Sequence, residues 1–192
     1  MPESPEPAGT TGSPGSLGSD VTPGQLLLAE YATLKDEQKS RIGFRDNLLY
    51  VTLTVVAAVI AAAAQARQPV MLLALPPVCV VLGWTYLIND EKISAIGAYV
   101  RGELGPRLAQ LARIEAAFGW ESAHRSDARR RSRKAVQLAV DLLAFCVVPF
   151  AGLVVYWGGG HAGAGLLVLS VVEAIGVVGL AAQVVTYARP SS

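Results

Sequence analysis

Histidine and cysteine are nearly missing from these 192 residues, with two of each. His124 and His161 stand far apart, and no HExxH, nucleophile elbow or pair of catalytic carboxylates occurs. The glycine-rich GGGHAGAG follows no strand and reads as a flexible turn rather than a nucleotide cradle. Enzyme activity is therefore not expected, and no catalytic residue, cofactor or metal site is assigned. Cys79 and Cys146 both fall inside apolar runs, where a thiol packs as a small apolar group, and no metal or redox spacing surrounds them. The chain also lacks a positive segment leading into a short apolar one near its start. The first long apolar run is thus the expected insertion signal.

Four long apolar stretches organise the chain, two of them without any charge and two with a single carboxylate each. Leu48 to Ile88 holds two uncharged arms broken only by Ala66-Arg67-Gln68-Pro69, and each arm is roughly 18 to 19 residues, about what crossing a 30 Å hydrocarbon layer takes. So short a break turns the second arm back beside the first. Ala135 to Trp157 and Ala164 to Val185 repeat the design around GGGHAG. The composition, 52% hydrophobic with mean hydropathy +0.42, suits a small multispan membrane protein. The expected fold is all-α: four transmembrane helices as two hairpins (48–88 and 135–185), with cytosolic amphipathic helices.

Positive charge orients the hairpins. Of the 16 Lys and Arg, four precede the first span, one (Arg67) sits in the first turn, ten lie between the hairpins, and Arg189 follows the last span. The positive-inside rule places both termini and the central segment in the cytoplasm of a cell whose inner, plasma membrane holds the spans. Tyr50, Trp84, Tyr86 and Tyr187 then lie at cytoplasmic ends, with Tyr156 and Trp157 at the far end of the third span.

Residues 1–23, rich in Pro, Gly and Ser, read as a disordered tail. Over 24–47, Leu27, Tyr31 and Leu34 recur at helical spacing; the helix either runs into the membrane as a stalk or lies on the headgroups. In the first span, Ala57/Ala61 and Ala58/Ala62 are small-xxx-small pairs, serving packing within the chain or between chains. Pro76-Pro77 and Gly83 predict a kink in the second span. The segment 89–134 carries an apolar stripe from Ile93 through Val100, Leu104 and Leu108 to Phe118, with a stop and restart at Gly105-Pro106. That stripe is to be covered by the stalk, the membrane surface or another copy. The segment 186–192 is a short cytosolic tail.

Four sets of side chains stand out as candidates. Arg45 and Asp46 enter the membrane where Asp90 and Glu91 leave it, so an ion pair across the hairpin is expected, or a ligand site built on the acids. Arg129, Arg130, Arg131, Arg133 and Lys134 adjoin the third span, placed for anionic lipid headgroups rather than nucleic acid. Asp141 lies near the interface, within reach of water or a snorkelling basic side chain. Glu173 stands near mid-bilayer, with Ser170 one turn before it and no Lys, Arg or His at its depth. It is either neutral and hydrogen-bonded to a hydroxyl or carbonyl, or faces water as a cation-selective lining or proton relay.

The wording EYATLKDEQKSRIGFRDNLLYVTL, with VLGWTYLINDEKISAIGAYVR after the next span, resembles small uncharacterised integral membrane proteins of actinobacteria. The layout of cytosolic helix, tight two-span hairpin and cytosolic helix over about residues 25–118 also resembles the SLATT-type two-span effectors of bacterial conflict systems. The second hairpin departs from that pattern. The resemblance implies a pore formed on activation. The expected function is an oligomeric pore-forming or sensor–effector membrane component. The alternatives are a small proton or cation channel or transporter using Glu173, and a scaffold recruiting a cytosolic protein through the stripe. Expected partners are anionic lipids, further copies of the chain and a cytosolic protein.

Overall fold

The structure, a computed structural model, describes residues 21–118, 130–159 and 163–188. The tail expected over 1–23 falls outside them up to residue 20, as do His124, Arg129, His161 and Arg189. Every regular element among the described residues is helical. Helix α1 spans Pro23–Ala66, 44 residues and about 66 Å at 1.5 Å per residue. Thr22 begins it with a capping box: the Gln25 N–H donates to Thr22 Oγ1 (3.3 Å) and the Thr22 N–H to Gln25 Oε1 (2.9 Å), with Pro23 at the first helical position. Nothing interrupts α1 where the charged sequence becomes apolar, so 24–47 and the first apolar arm are one continuous helix. Gly43, the one weak point, faces open space. Arg67 ends the helix in the left-handed region (φ 54°), its N–H turned back to Ala63 and Ala64 carbonyls, and Pro69 prevents resumption.

The second arm, α2, runs Pro69–Ala112. It opens as a 3₁₀ helix over Pro69–Ala74 and becomes α-helical over Leu75–Tyr99. Pro76 and Pro77 therefore fall where the 3₁₀ segment gives way to the first turn of the α-helix, a position at which a missing N–H costs little. Gly105-Pro106 is not a stop. A single π turn, Val100–Leu104, precedes it, and the Gly105 N–H reaches back five residues to the Val100 carbonyl. That wider turn makes room for the proline ring, and the helix continues over Gly105–Ala112. The device recurs in α3, which runs Arg130–Leu142, a π turn Leu143–Val147, then Val148–Gly158. There the Val148 N–H reaches the Leu143 carbonyl and Pro149 follows at the same offset as Pro106. Helix α4, Ala164–Ala188, is uninterrupted.

Bonds between α1 and α2 fall in opposite chain order: Arg45 with Asp90, Gln38 with the Ile93 carbonyl, Glu30 with Tyr99. The two helices are thus antiparallel neighbours along their charged halves. They also cover the apolar stripe in part. Val100 and Leu104 are fully buried, whereas the helix stops at Arg113 (φ 55°), earlier than the stripe. The chain then doubles back over Gly105, and Phe118 stacks on Tyr31 with ring centroids 4.2 Å apart and planes 11° from parallel.

The main core forms where α2, α3 and α4 cross. Tyr86 and Leu87 meet Ala144, Phe145 and Cys146 and, from α4, Val177, Leu180 and Val184, with Leu48 of α1 beside them. Elsewhere the apolar side chains point outward: Leu53 and Ile60 on α1, Val81 and Trp84 on α2, Val154 on α3, and Val168, Val172 and Ile175 on α4 are all exposed. Ala57, Ala58 and Ala61 face outward too. In water so much contiguous apolar surface would drive aggregation; against lipid it is at equilibrium.

Candidate interhelical polar cluster

Where charge gives way to apolar sequence, one level of the structure gathers polar side chains from all four helices. On α1, Arg41 and Arg45 are one turn apart and share a face. Arg45 Nη1 donates to Asp90 Oδ1 at 2.8 Å, Nη2 to Asp46 Oδ1 at 3.2 Å, and its guanidinium lies 5.9 Å from the Tyr86 ring centroid. Arg41 binds Glu37 at 2.6 Å and reaches Asn89 Oδ1 at 3.4 Å, while Asn89 Nδ2 donates back to the Thr85 carbonyl at 2.9 Å.

Tyr86 and Asp90 are likewise one turn apart, so α2 presents its phenol and its carboxylate in a row. The buried Tyr86 hydroxyl accepts from Gln137 Nε2 of α3, which also donates to Asp141 Oδ1 at 2.9 Å. Gln137 and Asp141 stand at i and i+4, which is why one amide serves both acceptors. On the far side of α2, Glu91 Oε2 accepts from the Tyr187 hydroxyl of α4 at 2.9 Å. Arg45, Asp46, Asp90 and Asp141 therefore belong to one cluster, Glu91 tethers α4 to it, and α2 is the member bonded to each of the other three helices. Asp141 is hydrogen-bonded by two neutral groups, the Tyr86 hydroxyl and the Gln137 amide, and no Lys or Arg among the described residues pairs with it. Tyr86 and Tyr187 read in the sequence only as interfacial aromatics and Gln137 was not singled out; the one local signal was the four-residue spacing to an acid in Tyr86–Asp90 and Gln137–Asp141.

Glu173 takes no part in the cluster, since it lies 14 residues before Tyr187 on α4, about 21 Å along the axis. Its Oε2 is buried and has no hydrogen-bond partner among the described residues. The neighbouring hydroxyl that could have served is committed elsewhere: buried Ser170 donates to the Leu167 carbonyl at 2.8 Å and accepts from Trp157 Nε1 at 2.9 Å. A buried polar atom without a partner costs about 1–3 kcal/mol, so this oxygen calls for a role. The Tyr156 hydroxyl is in the same position. Tyr156 packs with Leu73 and Leu153, and Ala174, next to Glu173, lies against that group.

Of the basic group beside the third span, Lys134 is exposed; the side chains of Arg130, Arg131 and Arg133 are outside the described residues. Cys79 and Cys146 are both buried free thiols. Among the described residues no three His, Cys, Asp or Glu side chains come together as metal ligands.

Four helices long and apolar enough to cross a membrane, with apolar side chains outward on each, define the class: an all-helical, multi-pass membrane protein. Comparison with family models, with curated proteins and with solved structures returns no match.

Proposed function

We propose that this protein is a non-enzymatic sensor–effector of the plasma membrane, with both termini cytoplasmic and two membrane hairpins. In this reading the charged halves of α1 and α2 form a cytosolic arm, and the membrane part responds as an oligomer by opening a pore. The observation that carries it is mechanical. Both helices pass from the charged half to the apolar half without a break, and the cluster around Arg45, Asp90, Tyr86 and Gln137 ties α3 to them at the crossing. A displacement of the arm is thereby delivered to three spans at once rather than absorbed in a loop. Four thin helices enclose no channel of their own, so conduction needs several copies, and the outward Ala57, Ala58 and Ala61 offer a surface where helices approach closely.

One observation favours a second reading, a proton or cation path through Glu173: its buried, unpartnered Oε2. A scaffold recruiting a cytosolic protein has less support, because the chain itself buries Val100 and Leu104 of the stripe. Ion and proton leak from liposomes tests both principal readings, with wild type beside Glu173→Gln and Asp90→Ala. Leak altered by Asp90→Ala and preserved in Glu173→Gln is the result expected of a coupled pore. Leak abolished by Glu173→Gln alone assigns the path to that residue. A monomeric protein that leaves the vesicles tight in every form refutes both.

A further inference from the structure

At the end opposite the polar cluster, α1 and α3 stand apart and leave a cleft of about 530 Å³. Its walls are Ile60 and Ala64 of α1, Leu72 of α2, and Ala151 and Val155 of α3, and its mouth is Arg67 with Gln68. The opening follows from side-chain size. Gly152 lets α3 close on α2, where an added Cβ would lie 3.1 Å from Leu75 Cδ1, and the short Ala63, Ala64 and Ala151 side chains do not fill the space left towards α1. Among the described residues no acid lines it, Arg67 and Gln68 are its polar side chains, both at the mouth, and the exposed Arg67 side chain makes no ion pair or hydrogen bond.

We propose that this cleft is a binding site for an anionic phospholipid, with the phosphate on Arg67 and an acyl chain laid between α1 and α3. An apolar slot closed at one end by a single cation matches an amphiphile with one anionic head, and guanidinium binds phosphate through two parallel N–H donors. The cleft volume is within the range of small-molecule sites. A second copy docking symmetrically through the same patch would set Arg67 against Arg67, a like-charge contact with nothing to offset it. The inference rests on the membrane reading, because only there does the turn at Arg67 lie at headgroup level.

The test uses the full chain in nanodiscs of equal phosphatidylglycerol and phosphatidylcholine, extracted into mild detergent, with co-purifying lipid counted by mass spectrometry. Wild type is expected to retain phosphatidylglycerol about fivefold over phosphatidylcholine, the preference one basic residue confers near a surface. Arg67→Gln is expected to level that preference, and Ala151→Leu, at an exposed position on the cleft wall, to reduce both lipids. A preference that survives Arg67→Gln overturns the proposal, as does lipid retention unchanged by Ala151→Leu. A disulfide-linked dimer through Ala64→Cys in the same discs would put a second copy in the cleft and also overturn it. Carbonate washing of native membranes is scored separately: protein that washes off refutes the membrane reading, whereas protein that stays without lipid selectivity refutes the cleft alone.

Discussion

Two glycine-to-alanine changes should shift stability in opposite directions. At Gly83, in the crossing of α2, α3 and α4, an added Cβ would stand 2.7 Å from Leu180 Cδ2 and 3.0 Å from both Cβ and Cγ of Phe145. The leucine tip can swing away. Phe145 cannot: its Cβ is fixed to the backbone of the π turn and the side chain is 1% exposed, so α3 itself must retreat by a few tenths of an ångström. Overpacking that forces a helix to move lies in the upper part of the usual range, about 2–3 kcal/mol, while alanine gains about 1 kcal/mol over glycine within a helix. The net expectation for Gly83→Ala is a loss of about 1–2 kcal/mol. Gly43 meets nothing within 4 Å, so Gly43→Ala keeps the helical gain uncancelled. For a chain of this size each kcal/mol moves the melting temperature about 2–4 °C, giving a fall of about 2–8 °C against a rise of about 2–4 °C. The assay is built into the protein, since Cys79 and Cys146 are buried free thiols that a thiol-reactive fluorophore reaches only on unfolding. A melting temperature for Gly83→Ala equal to or above wild type would refute the close crossing of α2 and α3.

Further expectations concern the polar contacts. Arg45 and Asp90 have side chains 24% and 46% exposed, so a double-alanine cycle should yield a coupling of only about 0.2–1 kcal/mol in the same melt; purely additive losses would mean that the pair contributes nothing. Tyr86→Phe removes the acceptor of a part-buried bond from the exposed Gln137 amide, together with the hydroxyl's bond to Asp141, and should cost about 0.5–1.5 kcal/mol; with Gln137→Leu added, the loss is expected to be smaller than the sum of the two singles because both remove the same bond. If the double change is as unstable as the sum of the singles, the bond is not the cause. The Tyr99 hydroxyl donates to Glu30 Oε1 at 2.6 Å, and this bond to a carboxylate raises the phenol above its ordinary range. A folded-state value above the unfolded one means that the bond's contribution is intact below about pH 10 and disappears as pH rises through the higher folded value. The ultraviolet difference titration between wild type and Tyr99→Phe should therefore have its midpoint above 10, and Glu30→Gln should lower it; a midpoint at or below 10 removes the bond from the account.

Hydropathy and charge are properties of each residue met by its solvent, which is why four spans, the break at Arg67–Pro69 and the approach of Arg45 to Asp90 were legible from the chain alone. A turn of two residues, Arg67 and Gln68, leaves an antiparallel neighbour little choice of register. Proline was harder. Pro76, Pro77 and Pro106 each forbid a backbone bond, yet whether the helix kinks, stops or swells into a π turn depends on which contacts would be lost by bending, and those lie on other helices. The stripe ending at Phe118 shows the same limit: its spacing continues the helix, but stacking on Tyr31 and the left-handed turn at Arg113 take the chain back instead. Which face of a span meets which neighbour turns on rotation about the helix axis, at 100° per residue, and is fixed only when side chains of all four helices interlock. Hence Gly83 against Phe145, Gln137 shared between Tyr86 and Asp141, the empty side of Ala64 and the stranded oxygen of Glu173 are consequences of tertiary packing. The chain by itself determined that it needs a membrane; the packing of its helices decided where its polar groups meet.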